Sequence, residues 1–396
     1  MKHAVPQAPL FDALDRYVEH ELVAAGRVAG AQLAIQYGDE LHEACFGHLD
    51  RERSRPMPPD AIFRIFSMTK PITSVAFMML VEAGRVALHD PVSRFLPRWG
   101  SLAAPGFPDG RAMRIVDLLT HCSGLTYGLQ YRTDIDAAYR RSVAMDAGAQ
   151  SLEDFVAALS TLPLEFEPGT AWNYSVASDV LGYLIELISG EGLREFFKRR
   201  IFDPLGMTDT DFSVTPANRH RVAECYIRRA DELLARPRDS FEGDLTATPR
   251  FLSGGGGLLS TLKDYLAFGN AILRQGRRGA AGLLAPATWE LMSTNHLPAG
   301  RDLPGSAHGI FSDRSYASVG FGFGWATTLD SAAAALRGNP GDAFWSGMAN
   351  TFFWCDPREK LIGVFMTQIL PAEVYPLQRD IRRLTYEAIE TASGRA

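Results

Sequence analysis

The sequence predicts an α+β fold in which one sheet, assembled from both ends of the chain, carries a mainly helical insertion. Three observations predict it. Strand-like runs around a tight turn lie near the start. Helical periodicity fills the long middle. Aromatic and β-branched strands return near the end, before a closing helix. The expected partition is a discontinuous α/β domain of residues 1–90 plus 300–396 and a helical domain of 91–299, with the active site between them.

Each element follows from local pattern. Residues 10–25, "LFDALDRYVEHELVAA", space Leu10, Leu14, Val18 and Leu22 at helical intervals and stop at Gly26. In "AGAQLAIQYGDELHEACFGHLD" the Gly38-Asp39 pair separates two strand-like runs, the mark of a hairpin. From Ser67 an apolar helix runs through "ITSVAFMMLVEAG" to Gly84. The middle contributes helical segments in "MRIVDLLTHCSGL", "SLEDFVAALSTL", "SDVLGYLIELISG" and "LREFFKRRIFDPLG", and a further helix begins after the four glycines of "GGGGLLSTLKDYLAFGNAIL". "YASVGFGFGWATTL", "DAFWSGMANTFFWC" and "KLIGVFMTQIL" read as strands, with a type I turn at Asp356-Pro357-Arg358-Glu359. The helix "LQRDIRRLTYEAIETA" closes the fold.

Bulk properties narrow the function. The 396 residues carry a net charge of −6 without a basic cluster, which argues against nucleic-acid binding. No run approaches the roughly 18 uncharged apolar residues needed to span a bilayer. Asp12, Asp15 and Glu19 interrupt the place where a signal peptide would need its apolar core, so a cytoplasmic location is expected. Cys45, Cys122, Cys225 and Cys355 are scattered without a C-x-x-C pair and are expected as buried free thiols.

The chemistry centres on "IFRIFSMTKP". Proline is tolerated in a helix only near its first turn, so Pro71 requires the helix to begin close to Ser67. Ser67 then sits near a helix N-terminus and Lys70 lies one turn on, on the same face. A serine hydroxyl needs a nearby base to become a nucleophile, and a lysine held close in a partly desolvated site can serve. S-x-x-K also arises by chance, and Ser260–Lys263 is a second match. There Ser260 or Thr261 reads as a helix cap, with Asp264 as the capping-box acid if Thr261 is the cap.

Three further segments raise Ser67 above that background. "FRIFSMTKPITSVAFMMLVEAGRVALHDPVSRFLP", "RIVDLLTHCSGL", "EFEPGTAWNYSVASDVLGYLIELISG" and "FWSGMANTFFWCDPREKLIGVFMTQ" together resemble the serine β-lactamase and penicillin-binding-protein superfamily, especially class C β-lactamases and family VIII carboxylesterases. The resemblance covers about residues 10 to 390. It implies a β-lactamase/penicillin-binding-protein-like fold with a central antiparallel sheet flanked by helices. It also implies Ser67 as the acylated nucleophile, Lys70 as its partner and Tyr174 as general base or proton shuttle. The N–H groups of Ser67 and Met348 would form the oxyanion hole beside the third motif, Trp345-Ser346-Gly347. Gly347 also suits a strand backbone approached closely. β-Lactamases usually carry Tyr-x-Asn and Lys-Thr-Gly, where this chain has Tyr174-Ser175-Val176 and Trp345-Ser346-Gly347. Both replacements match family VIII esterases. An anionic amide would lose its partners there, so Val176, Trp345 and Tyr127 are expected to line a pocket for neutral short-acyl esters.

Other assignments stay open at this stage. An α/β-hydrolase needs G-x-S-x-G, which is absent. His121 and Ser123 are too close along one segment to meet in attack geometry. Ser178-Asp179-Val180 imitates a Ser-Asp-Asn motif but reads as helix surface. Tyr174 and Trp345 would each also suit a core position. An amidase or acyltransferase of the same fold is the nearest alternative, a non-catalytic binding protein the next; a peptidoglycan peptidase would need export. The expected ester hydrolysis requires a small-molecule substrate and no metal or organic cofactor. Oligomeric state is not encoded legibly.

Overall fold

The computed structural model describes residues 10–142, 150–230, 232–235, 244–274, 283–372 and 374–394. Eight strands build the main sheet: β1 (Gly30–Tyr37), β2 (Glu40–Asp50), β3 (Arg55–Pro56), β4 (Val319–Phe321), β5 (Ala326–Thr328), β6 (Ala343–Ser346), β7 (Phe352–Asp356) and β8 (Leu361–Thr367). Their order is β3-β2-β1-β8-β7-β6-β5-β4, and every neighbouring pair is antiparallel. The seam between the two ends of the chain is the β1–β8 ladder, which sets Ala31 opposite Thr367 and Leu33 opposite Phe365. The expected sheet of both termini is therefore present. The hairpin turns at Gly38, whose φ of +61° a glycine adopts without strain.

Helices cover both faces of the sheet: α1 (Thr69–Glu82), α2 (Ala177–Ser189), α3 (Leu262–Arg274) and α4 (Leu377–Ala392) are the long ones. Side chains alternate along a strand, and β7 uses both sides. Phe353 and Cys355 face α3, with the Tyr265 ring 5.1 Å from that of Phe353 and Cys355 Sγ 3.4 Å from the Gly269 carbonyl. Trp354 and Asp356 face α4, where Arg382 lies over Trp354 and Tyr386 Oη donates to Asp356 at 2.6 Å. Although α3 falls within residues 91–299, it packs on the sheet.

A two-stranded ladder does most to place the site. Ile62–Arg64 pairs antiparallel with Leu259–Thr261, and the Ile65 N–H continues the pairing onto the Leu258 carbonyl at 3.1 Å. It therefore sets the approach to Ser67 beside the end of the glycine run. Past it, a single 3-10 turn (Phe66–Met68) leads into α1, with Pro71 in the first turn, where its missing N–H costs nothing. The helix is buried along nearly all its length and packs on α2.

Several sequence expectations need correction. A strand, Leu259–Thr261, stands between the glycines and α3, and of the two expected cap candidates it is Thr261 that caps α3, accepting from the Asp264 N–H at 3.2 Å. Ser178, Asp179 and Val180 are all buried, because this end of α2 lies against α1 and the glycine run instead of facing solvent. Cys122, Cys225 and Cys355 are buried, but Cys45 is exposed on β2. Among the described residues no helix is long and apolar enough to cross a membrane.

The second S-x-x-K pair is separated from this chemistry: Ser260 Oγ is held by Thr210 Oγ1 at 2.7 Å, and Lys263 is exposed. Lys263→Ala should change kcat and stability by no more than about twofold and about 0.5 kcal/mol. Steady-state kinetics and urea unfolding check this, and a large loss of turnover in a folded protein would mean the wrong pair had been chosen.

Candidate active site

Ser67 is partly exposed at the head of α1, and Lys70, one turn on, is fully buried. Lys70 Nζ donates to Ser67 Oγ at 3.1 Å and to the Gly255 carbonyl at 2.6 Å. Tyr174 Oη donates to the same Ser67 Oγ at 2.6 Å. The Lys70 nitrogen also lies 4.6 Å from the centre of the Tyr174 ring and 5.5 Å from that of Tyr127. Three residues far apart in sequence thus share one hydroxyl oxygen.

Tyr174 lies three residues before α2, and the chain around it is pinned on both sides. The Asn173 N–H donates to the His121 carbonyl at 3.0 Å, Asn173 Nδ2 to the Leu125 carbonyl at 3.0 Å, and Gln130 Nε2 to the Tyr174 carbonyl at 3.0 Å. Rings enclose the phenol: His121 at 5.2 Å, Tyr127 at 5.3 Å, Phe311 at 5.4 Å and Trp345 at 5.6 Å. The expected pocket residues Tyr127, Val176 and Trp345 are all buried in one core, and the rings of Tyr127 and Trp345 flank Tyr174. Phe311, which stacks on Trp345, is an addition that no local pattern marks.

The third motif closes the site from β6. Gly347 donates to the Thr351 carbonyl at 2.7 Å, and Asn350 donates back to Gly347 at 3.0 Å, so the turn after β6 is tight. A Cβ on Gly347 would lie 2.4 Å from the Ile65 carbonyl oxygen, which explains the glycine and places this turn against the approach to Ser67. Met348 follows with its side chain largely exposed, and its N–H makes no hydrogen bond to the described residues.

Two groups read differently from sequence prove central. His121 does not pair with Ser123: its Nδ1 lies 3.0 Å from Ser175 Oγ, and its ring is buried against Trp172, Tyr174 and Phe321. Burial, reinforced by the Lys70 charge, holds its pKa well below the ordinary value, so the imidazole is neutral. Asp179 is fully buried, and its Oδ1 accepts from Ser253 Oγ at 2.5 Å and from the Gly255 N–H at 2.9 Å. Burial pushes its carboxyl upward, opposed by the Ser253 bond and the charge of Lys70. Burial likewise raises the Tyr127 phenol well above its ordinary range, with the charge of Asp179 adding to it.

With this geometry established, relatives place the chain. The beta-lactamase family model matches residues 14–387. The chain belongs to the beta-lactamase family. Within it, the chain is similar to Esterase EstB of Burkholderia gladioli, 30% identical over 382 residues that cover 91% of each chain. It is also similar in structure to EstCE1, described as a hydrolase with promiscuous acyltransferase activity, with a TM-score of 0.80, 28% identity, and 95% of this chain and 98% of the other covered. Simvastatin synthase (LovD) from Aspergillus terreus shares the fold at a TM-score of 0.80 and 23% identity, over 98% and 100% of the two chains. The protein is thus a family VIII esterase-like member of the serine β-lactamase superfamily, a hydrolase of the β-lactamase fold.

Two outcomes follow from this packing. Gly347→Ala forces the turn away from Ile65 and should cost about 1–3 kcal/mol of stability, measurable by urea unfolding. His121 is neutral when folded but titrates near 6.5 when unfolded. Below that pH the unfolded chain binds the extra proton, so His121's contribution to stability is present above about 6.5 and is lost as pH falls, by at most about 1.4 kcal/mol per unit. Unfolding curves at pH 5, 6 and 7 should show a steeper acid loss for the wild type than for His121→Gln, and equal slopes would refute the neutral assignment.

Proposed function

We propose that the protein is a serine carboxylesterase that cleaves short-acyl esters through an acyl-Ser67 intermediate. The observation that carries this is Ser67 Oγ held at once by Lys70 Nζ at 3.1 Å and by Tyr174 Oη at 2.6 Å. Ser67 Oγ attacks the ester carbonyl carbon, and its proton passes into the Lys70–Tyr174 pair as the C–O bond to the tetrahedral centre forms. The N–H groups of Ser67 and Met348 take the oxyanion, each such donor contributing about 3–4 kcal/mol. The pair returns the proton to the departing alkoxide, leaving acyl-Ser67. Water then attacks the acyl carbon by the same route in reverse and frees the acid.

The surroundings of the hydroxyl favour neutral substrates. By motif position, Trp345 replaces the cation that would pair with the carboxylate of a β-lactam, and Val176 replaces the asparagine that would bind its amide. The rings of Tyr127, Phe311 and Trp345 around Tyr174 form an apolar wall suited to ester chains. The similarity to Esterase EstB supports the same substrate class. Transfer of the acyl group to an alcohol is the second reading, favoured by the likeness to EstCE1. It differs only in which hydroxyl attacks acyl-Ser67.

Turnover of p-nitrophenyl butyrate and nitrocefin by wild type and Ser67→Ala tests the assignment. Ester turnover should exceed nitrocefin turnover, and Ser67→Ala should lose at least about 1,000-fold in kcat. Faster nitrocefin cleavage would overturn the substrate class, and ester activity that survives Ser67→Ala would overturn the mechanism. Product analysis with added butanol separates hydrolysis from transfer.

A further inference from the structure

The glycine run is clamped between two helices, and the clamp ends on Lys70. From α2, Asp179 Oδ1 accepts from Ser253 Oγ at 2.5 Å and from the Gly255 N–H at 2.9 Å. From α1, Thr73 Oγ1 donates to the Gly254 carbonyl at 2.7 Å. The Gly255 carbonyl then receives Lys70 Nζ at 2.6 Å. One residue, Gly255, is therefore held through its N–H by a carboxylate and through its C=O by the lysine that reaches Ser67. No side chain fits here: a Cβ on Gly254 would lie 2.6 Å from the Ser178 carbonyl, and one on Gly255 would lie 2.7 Å from Asp179 Oδ2.

We propose that Asp179 is a positioning residue of the reaction, fixing the Gly255 carbonyl so that Lys70 Nζ is directed at Ser67 Oγ. The inference rests on the Ser67–Lys70–Tyr174 mechanism above. Lysine carries a long, many-rotamer side chain, and two acceptors rather than one define where its nitrogen stands. Without the carboxylate, Gly255 loses the partner of its N–H, and a glycine-rich segment has little intrinsic preference to keep the same backbone. A buried carboxylate is also a costly way to fill space. Its Oδ2 has no hydrogen-bond partner among the described residues, and an apolar side chain of similar volume would pack there at lower cost. What such a side chain lacks is the acceptor that holds Gly255.

The effect should fall on the chemical step more than on substrate binding, because the Asp179 hydrogen bonds run to Ser253 and Gly255, and the Gly255 carbonyl is what Lys70 Nζ reaches. Asp179→Ala should lower kcat on p-nitrophenyl butyrate by about 100-fold, the usual consequence of misplacing a reacting group by about 1 Å. KM should stay within about threefold, since uniform binding is untouched. Asp179→Asn keeps an Oδ1 acceptor for the Gly255 N–H and should recover about tenfold of the lost kcat. Labelling of Ser67 by a fluorophosphonate should slow in the same order, with circular dichroism and thermal melts confirming folded variants. A folded Asp179→Ala enzyme with kcat within about twofold of wild type overturns the proposal. If Asp179→Ala does not fold, Ser253→Ala, which withdraws one donor from the clamp, decides: a lower kcat at constant KM supports the proposal and an unchanged kcat overturns it. Ester activity surviving in Ser67→Ala would remove the mechanism beneath the inference. An inactive Ser67→Ala beside a fully active Asp179→Ala removes only the positioning role.

Discussion

A lysine nitrogen sealed from solvent needs acceptors within the protein, because an unsatisfied buried amine or ammonium is among the costliest groups a fold can contain. Lys70 has two, Ser67 Oγ and the Gly255 carbonyl, with the face of Tyr174 closing a third side. Much of the surrounding architecture is explained by meeting that demand. The ladder between Ile62–Arg64 and Leu259–Thr261 sets the glycine run beside the nucleophile turn. Pro71 allows α1 to begin late enough that Ser67 stays outside its regular hydrogen bonding. The packing of α2 on α1 supplies the buried face from which Asp179 reaches the glycines.

The backbone at two points beside this lysine is itself unusual. Phe66, the residue before Ser67, has φ +43°, and His121, against the Tyr174 ring, has φ +56°. Non-glycine residues pay roughly 1–3 kcal/mol for such conformations and keep them only where surrounding contacts over-determine the geometry. Here those contacts are visible. The Ile65 N–H bonds to Leu258, and the Asn173 N–H bonds to the His121 carbonyl. The site is thus held in place by long-range pairing more than by local propensity.

Much of this was legible in the sequence, for identifiable reasons. Strands of β-branched and aromatic residues, the Gly38 turn and the Pro71 helix start are local signals, and each sits where its pattern predicts. Ser67, Lys70 and Tyr174 do converge, although only motif order linked them in advance. Asp179 was misread because a polar pair at a helix start looks like solvent-facing surface, and its partner Gly255 lies 76 residues away. The four glycines were legible as an interruption but not as a close approach between helices. Phe311 carries no motif, and its place beside Trp345 depends on how the chain returns from the loop before β4. His121 was rightly separated from Ser123, yet its contact with Ser175 requires the fold.

The seam of the main sheet has a consequence for how the molecule is made. β1 pairs with β8, so Ala31 meets Thr367, a residue 336 positions further along the chain. On a ribosome that emits the N-terminal end first, the β1–β2 hairpin emerges with one edge unpaired and its apolar residues uncovered, and waits for nearly all of translation. Trp345 and the turn after β6 arrive just as late. Nascent chains should therefore stay dependent on holding chaperones and remain catalytically silent until release, with the hydrolytic centre assembling in one late, high-contact-order step.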